Sequence, residues 1–469
     1  MDGKKGIKVA LGSFLIHFFA TSMLAAAAVS ISITNVVEWE KDKNFGMNRS
    51  QLNQIILNYG IMMISCGVTG VLGIPGYLGH LTSYTITIML GGLLMALTLF
   101  LPSMSSGMAE SGVVMIIQAI VLGIGISLNY IPAYTILAQW YHKRLGLMTG
   151  ISLSGCALGT LVFSIINNSV IRNYGHVKAM QIQGIIIIVG CLMSSLLIKM
   201  HILKSKKAGF FDWKIISDTR FLVLASATLI SGLGRYMFSW LTSTLLFMIN
   251  IQHGGGNGVA TCIVLVVSQL LGFIGGGYLS DRTGYIGFIG VSMFVFAISV
   301  LLLLAIIIPS SSLTPGMPEV ISPTTWPIYI VLVLAGISNG TLGSVIPASI
   351  LQMFGPVRLP SVTGLLVLTI NILVFIPTVN YTIFNDSEAG GYNYINKEGF
   401  VILTILAFLA TVIGGVFALC LPKLNRRYKR KLLMRELEQQ HHEIRRESVV
   451  ILSSEKEVEE EKKIETIIR

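Results

Sequence analysis

The chain is divided into apolar runs long enough to cross a lipid bilayer, and nothing else in it constrains the fold as strongly. A spanning helix needs roughly 20 consecutive apolar residues. About twelve runs meet that length: 8–34, 52–77, 84–103, 111–138, 146–170, 180–200, 221–249, 258–279, 285–308, 327–353, 362–385 and 399–421. Lipid offers the backbone no hydrogen-bond partner, so each run must satisfy its own N–H and C=O groups as an α-helix. The expectation is an all-α integral membrane protein. Only 12% of the 469 residues are charged, against roughly 25% in soluble domains, and a soluble globular fold is excluded. Lys4, Lys5 and Lys8 precede a run too long for a cleavable leader, so 8–34 reads as the first span.

The positive charges set the orientation. With the N-terminus inside, twelve Lys and Arg of the short links fall on the cytoplasmic side: Lys4, Lys5, Lys8, Lys143, Arg144, Lys204, Lys206, Lys207, Lys214, Arg220, Arg282 and Arg358. Six fall outside: Lys41, Lys43, Arg49, Arg172, Lys178 and Lys397. Positive residues gather on the cytoplasmic face, so both termini are expected there, in the plasma membrane rather than an organelle. The net charge is +11, but the cations flank spans and form no continuous basic surface, which argues against nucleic acid as a partner. Asn48-Arg49-Ser50 is an N-glycosylation sequon in the first outer loop. Cys66, Cys156, Cys191, Cys262 and Cys420 each lie in an apolar run without metal spacing and read as packing residues.

The link 201–220 divides the spans six and six. The expected organisation is a six-helix bundle over 1–200, a cytoplasmic link 201–220, a second bundle over 221–421 and a charged cytoplasmic tail 422–469. Internal similarity supports a duplication. YLGHLTSY (77–84) matches YLSDRTGY (278–285), and IPAYTILAQWYHKRLGLMTG (131–150) matches IPASILQMFGPVRLPSVTG (346–364). Each member of the longer pair keeps Ile-Pro-Ala, then Gln, then Arg-Leu, then Thr-Gly. In the tail, Arg426, Arg427, Lys429, Arg430 and Lys431 suit anionic lipid or a protein partner, or simple anchoring of the topology.

Two blocks carry more specific information. GGYLSDRTGYIG (276–287) calls for a tight turn, with Asp281 and Arg282 placed to meet helix ends or each other. QWYHKRLGLMTGISLSGCALG (139–159) puts aromatic residues, Lys143 and Arg144 at a membrane interface. Its glycines Gly146, Gly150, Gly155 and Gly159 suggest one face of close helix packing. The first block resembles the loop signature of the major facilitator superfamily. The second, with Tyr130 and Pro132 before it, resembles the monocarboxylate porter and oxalate–formate antiporter branch of that superfamily. GLLVLTINILVFIPTVNYTIFND (364–386) is similar to that branch's eleventh span, with Pro377 where Gly-Pro-Pro is common. The resemblance implies two six-helix bundles around a central cavity and symport, antiport or facilitated passage of a small organic anion such as a monocarboxylate. Animal proton-linked members carry an Asp and an Arg one turn apart in span eight and a Lys in span one. Gln269, Phe273 and Ser30 stand near those positions here.

Arg235 is the only charge in the run 221–249. A cation at membrane depth is costly and faces a cavity or a partner. No carboxylate lies within a span; Glu110, Asp281 and Asp386 sit at or beyond span ends. Either a substrate carboxylate partners Arg235 through paired hydrogen bonds, or backbone carbonyls do so at a helix break near Gly232 and Gly234. His17 is the other ionisable group inside a run, suited to proton coupling or to a hydrogen bond between helices. Asn129, Tyr130, Tyr134, Gln269, Asn339 and Asn371 would complete a cavity, or bond helix to helix. No nucleotide-binding domain and no cluster of acid, base or metal-ligating residues is evident, so neither a cofactor nor an enzyme is expected. Transport of another small solute, such as an amino acid, is the alternative, as is a transporter-like sensor that moves no cargo.

Overall fold

The computed structural model describes residues 4–21, 61–62, 64–101, 112–198, 215–252, 256–308, 326–355, 358–371 and 397–468. Every described element is helical, as the apolar runs require. Helix α1, Lys4–Ile16, widens into a π turn over His17–Thr21. Helix α2, Ile74–Leu81, follows helical residues 64–71 across Gly73, whose φ is +69°. Then come α3, Tyr84–Phe100, and α4, Gly112–Trp140. Helices α5, Leu145–Ile171, and α6, Lys178–Leu197, form one helical path bent at Gly175, where φ is +81°. The rest are α7, Thr219–Gln252; α8, Gly256–Thr283; α9, Tyr285–Ile307; α10, Trp326–Phe354; α11, Leu359–Asn371; and α12, Lys397–Ile468. Among the described residues, eight helical stretches are long and apolar enough to cross a membrane. Three shorter apolar helices accompany them, Gly6–Ala20, Tyr84–Phe100 and Leu359–Ile370. Ser30, the Asn48 sequon, Pro377 and Asp386 lie outside the described residues.

The two Ile-Pro-Ala segments place Pro132 and Pro347 at nearly the same depth in two helices of 29 residues each. Asp281 and Arg282 are not in a loop. They occupy the last turn of α8, and the chain reverses at Gly284 alone, whose φ is +103°.

Residues 1–419 form one compact unit and 420–469 a second. In the first unit, α8 packs on α10 and on the α5–α6 path, α9 on α10, and α1 on the α5–α6 path. Lipid supplies no hydrophobic drive between helices, so close backbone approach has to supply it. Glycines provide that approach. A Cβ on Gly150 would collide with the carbonyl of Phe273, one on Gly277 with that of Gly146, and one on Gly364 with the backbone of Gly70. The glycines of α5 do not share one face, as their spacing first suggests. Gly146 and Gly150 abut α8, but Gly155 abuts Phe14 of α1. Nine residues at about 100° each turn Gly155 roughly half a circle from Gly146. Outward, Leu93, Leu97, Ile185, Leu271 and Ile298 are exposed, the arrangement of side chains that meet lipid. Inward, Phe238, Leu241, Phe296, Val300, Val331 and Phe400 make a core. Several buried hydroxyls bond back to their own helix. Thr228, Ser268, Thr404 and Thr411 each donate to the carbonyl four residues earlier at 2.6–2.9 Å.

The second unit is helical through to Ile468. Residues 426–447 are dominated by Arg, Lys, Leu, Glu and Gln, which favour helix without tertiary help. Residues 426–440 are all exposed.

One ion pair is present among the described residues. Arg220, at the start of α7, meets Asp218 at 2.7 Å. It donates a further bond of 2.8 Å to the carbonyl of Met353 at the end of α10, and its guanidinium lies 4.9 Å from the Phe354 ring. This clamp fastens α7 to the C-terminus of α10. Burial opposes the Asp218 charge, but the bonds and charge of Arg220, with the charge of Arg358, outweigh it and hold the carboxyl below its usual range. A depressed carboxylate pKa stabilises above the unfolded value, about 3.9, and that stability is lost as pH falls through the folded value. The protection of amides at the start of α7, measured as exchange relative to the intrinsic rate at each pH, is therefore expected to be flat from neutral pH down to about 5 and to fall below about 4. Loss of protection already at pH 6 would contradict this account.

Candidate functional site

The sequence candidates gather at two places. The first is built where α1, α4 and α5 meet. Ser13 and His17 are four residues apart and share a face of α1. The Ser13 hydroxyl donates to the carbonyl of Ala133 at 2.8 Å and lies 2.6 Å from the Ser152 hydroxyl. His17 Nδ1 lies 2.9 Å from the Ser13 carbonyl and 3.0 Å from Ser152 Oγ. A carbonyl only accepts, so the contact with Ser13 is a hydrogen bond in the tautomer that carries a proton on Nδ1. The imidazole stands edge-on to two aromatic rings, with centroids 5.7 Å from Tyr130 and 5.3 Å from Tyr134. Those tyrosines are one turn apart on α4 and themselves T-shaped at 4.5 Å. Around them pack Leu153 and Ala157 of α5 and Val266 and Phe273 of α8. His17, Tyr130 and Tyr134 are thus brought together as one aromatic and ionisable cluster. The hydroxyls that fix it, Ser13 and Ser152, carry no signal in the sequence that separates them from other serines in spans.

The second place surrounds Arg235. Helix α7 is unbroken there, which removes the helix-break alternative drawn from Gly232 and Gly234. Gly234 serves packing instead: a Cβ on it would strike Thr411 of α12. Arg235 Nη2 donates to the Ser231 hydroxyl one turn earlier at 3.1 Å, and its guanidinium carbon lies 5.8 Å from the Phe296 ring. Nε is buried and has no hydrogen-bond partner among the described residues. A guanidinium has five N–H donors, and among the described residues one hydrogen bond and one ring contact engage it. The His17 cluster and Arg235 occupy separate positions, on α1, α4 and α5 and on α7 and α9.

The remaining candidates are placed as follows. Asn129 is fully buried and already engaged. It donates to the carbonyl of Gly125 at 3.0 Å, and its side-chain oxygen accepts from the Cys191 thiol at 3.6 Å, so it ties α4 to α6. Gln269 lies at the α8–α10 contact, where its own carbonyl faces Gly340. Asn339 is half-buried on α10, and Asn371 ends α11. Lys143 and Arg144 are exposed in the turn between α4 and α5.

Asp281 reaches a helix end, and the end belongs to α5. Its two carboxylate oxygens accept from the backbone N–H of Gly146 at 2.8 Å and of Leu147 at 2.9 Å. Tyr285 adds a donated bond at 2.7 Å. A carboxylate at a helix N-terminus satisfies orphan donors and opposes the positive end of the helix dipole. Arg282 instead stacks over Tyr278 at 4.5 Å. The carboxylate therefore closes this end of the α5–α8 seam. Such charge-assisted bonds contribute about 1.5–3 kcal/mol. Asp281→Asn keeps one acceptor and loses the charge. The amides of Gly146 and Leu147 should then exchange with solvent roughly ten-fold faster or more. Unchanged exchange would show that the seam closes without the carboxylate.

Comparison with known proteins bears on this arrangement. The sequence model of the Major Facilitator Superfamily matches residues 10–377. The chain is 25% identical over 301 residues to the probable transporter MCH2 of Saccharomyces cerevisiae, covering 61% of this chain and 62% of that one. It is 25% identical over 198 residues to monocarboxylate transporter 14 of Homo sapiens, covering 42% of this chain and 36% of that one. The chain thus spans less than two thirds of the length of either relative. A crystal structure of a bacterial homologue of the iron transporter ferroportin, in an outward-facing state, superposes with a TM-score of 0.61. It covers 90% of this chain and 100% of that one at 12% identity, a likeness of fold.

Proposed function

This chain belongs to the Major Facilitator Superfamily, and on that premise we propose that it carries a small organic anion across a membrane by alternating access. It is an integral, multi-pass membrane protein of a transporter family. The observation that carries the anion is Arg235: a mid-span guanidinium that has, among the described residues, one hydroxyl partner, one ring beneath it and a buried Nε without a hydrogen-bond partner. A carboxylate supplies the missing charge and acceptors and binds Arg through two parallel bonds. The substrate is then a monocarboxylate-like metabolite, in keeping with the name of the human relative. Binding lowers the cost of burying the arginine only while the carboxylate is present, which couples occupancy to the inward–outward exchange.

His17 is the proposed proton site, with Nε2 as the titrating atom. Tyr130 and Tyr134 stand together beside the imidazole. If His17 carries the coupled proton, uptake driven by an acid outer pH disappears in His17→Gln while exchange of anion for anion persists. Retention of the full pH dependence in that variant would move the proton elsewhere.

Ligand-dependent melting of the purified protein tests the substrate class without requiring flux. A ligand at about 100 times its Kd stabilises the folded state by about 2.7 kcal/mol. Lactate, pyruvate, formate or oxalate should raise Tm, and a neutral amino acid should not. The reverse pattern would replace the organic anion by a neutral or zwitterionic cargo.

A further inference from the structure

We propose that Ser448, in the C-terminal helical unit, is a phosphorylation site for an arginine-directed serine kinase. The local sequence is Arg445-Arg446-Glu447-Ser448-Val449. Two guanidiniums stand three and two residues before the serine, and an apolar residue follows it. Kinase–substrate recognition works through such charge patterns. Carboxylates in a peptide groove take each guanidinium by paired hydrogen bonds, which a lysine would satisfy less well.

A second observation concerns access. Ser448 lies within the long helix Lys397–Ile468, in the unit 420–469. A kinase groove takes its substrate in extended form, so the helix must open locally. The segment 448–451 reads Ser-Val-Val-Ile, four weak helix formers in succession. The stretches on either side, 426–447 and 455–465, are rich in Arg, Lys, Leu, Glu and Gln. The helix is therefore weakest at the serine that the arginines mark.

In the step itself, Ser448 Oγ attacks the γ-phosphorus of kinase-bound ATP. A new Oγ–P bond replaces the bond to the β,γ-bridging oxygen, ADP departs and the hydroxyl proton passes to the kinase's catalytic carboxylate. The phosphoserine brings a charge of about −2. It would stand three residues from Arg445, the spacing at which opposite charges support a helix. The tail 422–469 holds thirteen Lys and Arg against ten Glu, so one phosphate removes most of its positive excess. The inference places the tail in the cytoplasm and does not depend on the nature of the cargo.

The test uses the purified full-length protein in detergent, ATP labelled at the γ-position and the catalytic subunit of cyclic-AMP-dependent protein kinase. Label is expected on Ser448 by fragment mass spectrometry. It should vanish in Ser448→Ala, survive in Ser453→Ala/Ser454→Ala, and fall roughly ten-fold or more in Arg445→Gln/Arg446→Gln. No label on the wild type while a control peptide is phosphorylated, or full label on Ser448→Ala, would overturn the site. In sealed vesicles, label is expected only where the cytoplasmic face is outward. Label from the opposite face would overturn the cytoplasmic placement and the site with it.

Discussion

Arg235→Gln is expected to lower the transport efficiency of the chain for the proposed anion by about 100-fold, while leaving the protein folded. Removing one partner of a desolvated charge pair costs about 2–5 kcal/mol, and about 2.7 kcal/mol is a factor of 100 at 25 °C. The fold should survive because the native guanidinium has, among the described residues, few partners to lose. It holds one bond to Ser231 and a place near Phe296. Replacing a buried cation by a neutral amide also removes a desolvation penalty, so melting in the absence of ligand should rise or stay level. Arg235→Lys separates charge from geometry. A lysine keeps the charge but not the fork of parallel donors, so its uptake should fall between wild type and Arg235→Gln. Were Arg235 a packing residue, both variants would lower stability, and uptake would follow the amount of folded protein.

Gly150→Val is expected to abolish transport by opening the seam between α5 and α8. Even an alanine Cβ at Gly150 would collide with the backbone carbonyl of Phe273, which no rotamer change can move. Overpacking typically costs about 1–3 kcal/mol, and here the strain falls on a helix crossing that Asp281 also has to bridge. Gly275→Ala is the matching control. It lies on α8, and a Cβ there meets nothing within 4 Å. It should be neutral or slightly stabilising, since Ala is the better helix former. Uptake in proteoliposomes should fall below about a tenth of wild type in Gly150→Val and stay level in Gly275→Ala. Equal effects of the two would mean that the seam tolerates separation.

The helices were legible because a membrane leaves the backbone so little choice. The run 285–308 is observed as Tyr285–Ile307, and 327–353 as Trp326–Phe354. The helix through the tail was less visible, because its support is local propensity rather than an apolar pattern. Facing directions were harder still. Gly155 looked like a continuation of Gly146 and Gly150 until its angular position turned it to Phe14. Asp281 was recognisable as a residue for a helix end, but which end depends on how α5 and α8 cross. The Arg220–Asp218 clamp escaped notice for a similar reason, since Asp-Thr-Arg before an apolar run reads as an ordinary interface and Met353 is distant in sequence. Of the candidate site, His17 and Arg235 stood out as ionisable groups in apolar runs. The pairing of His17 with Tyr130 and Tyr134 needed the fold, because their helices are separated by about a hundred residues.

The most direct measurement is uptake of labelled pyruvate by wild-type protein in liposomes, beside protein-free liposomes and beside a labelled neutral amino acid. The account predicts saturable pyruvate uptake that is accelerated by unlabelled carboxylate on the opposite side, with no uptake of the amino acid. Pyruvate flux equal to that of empty liposomes, from protein shown to be folded and inserted, would contradict it.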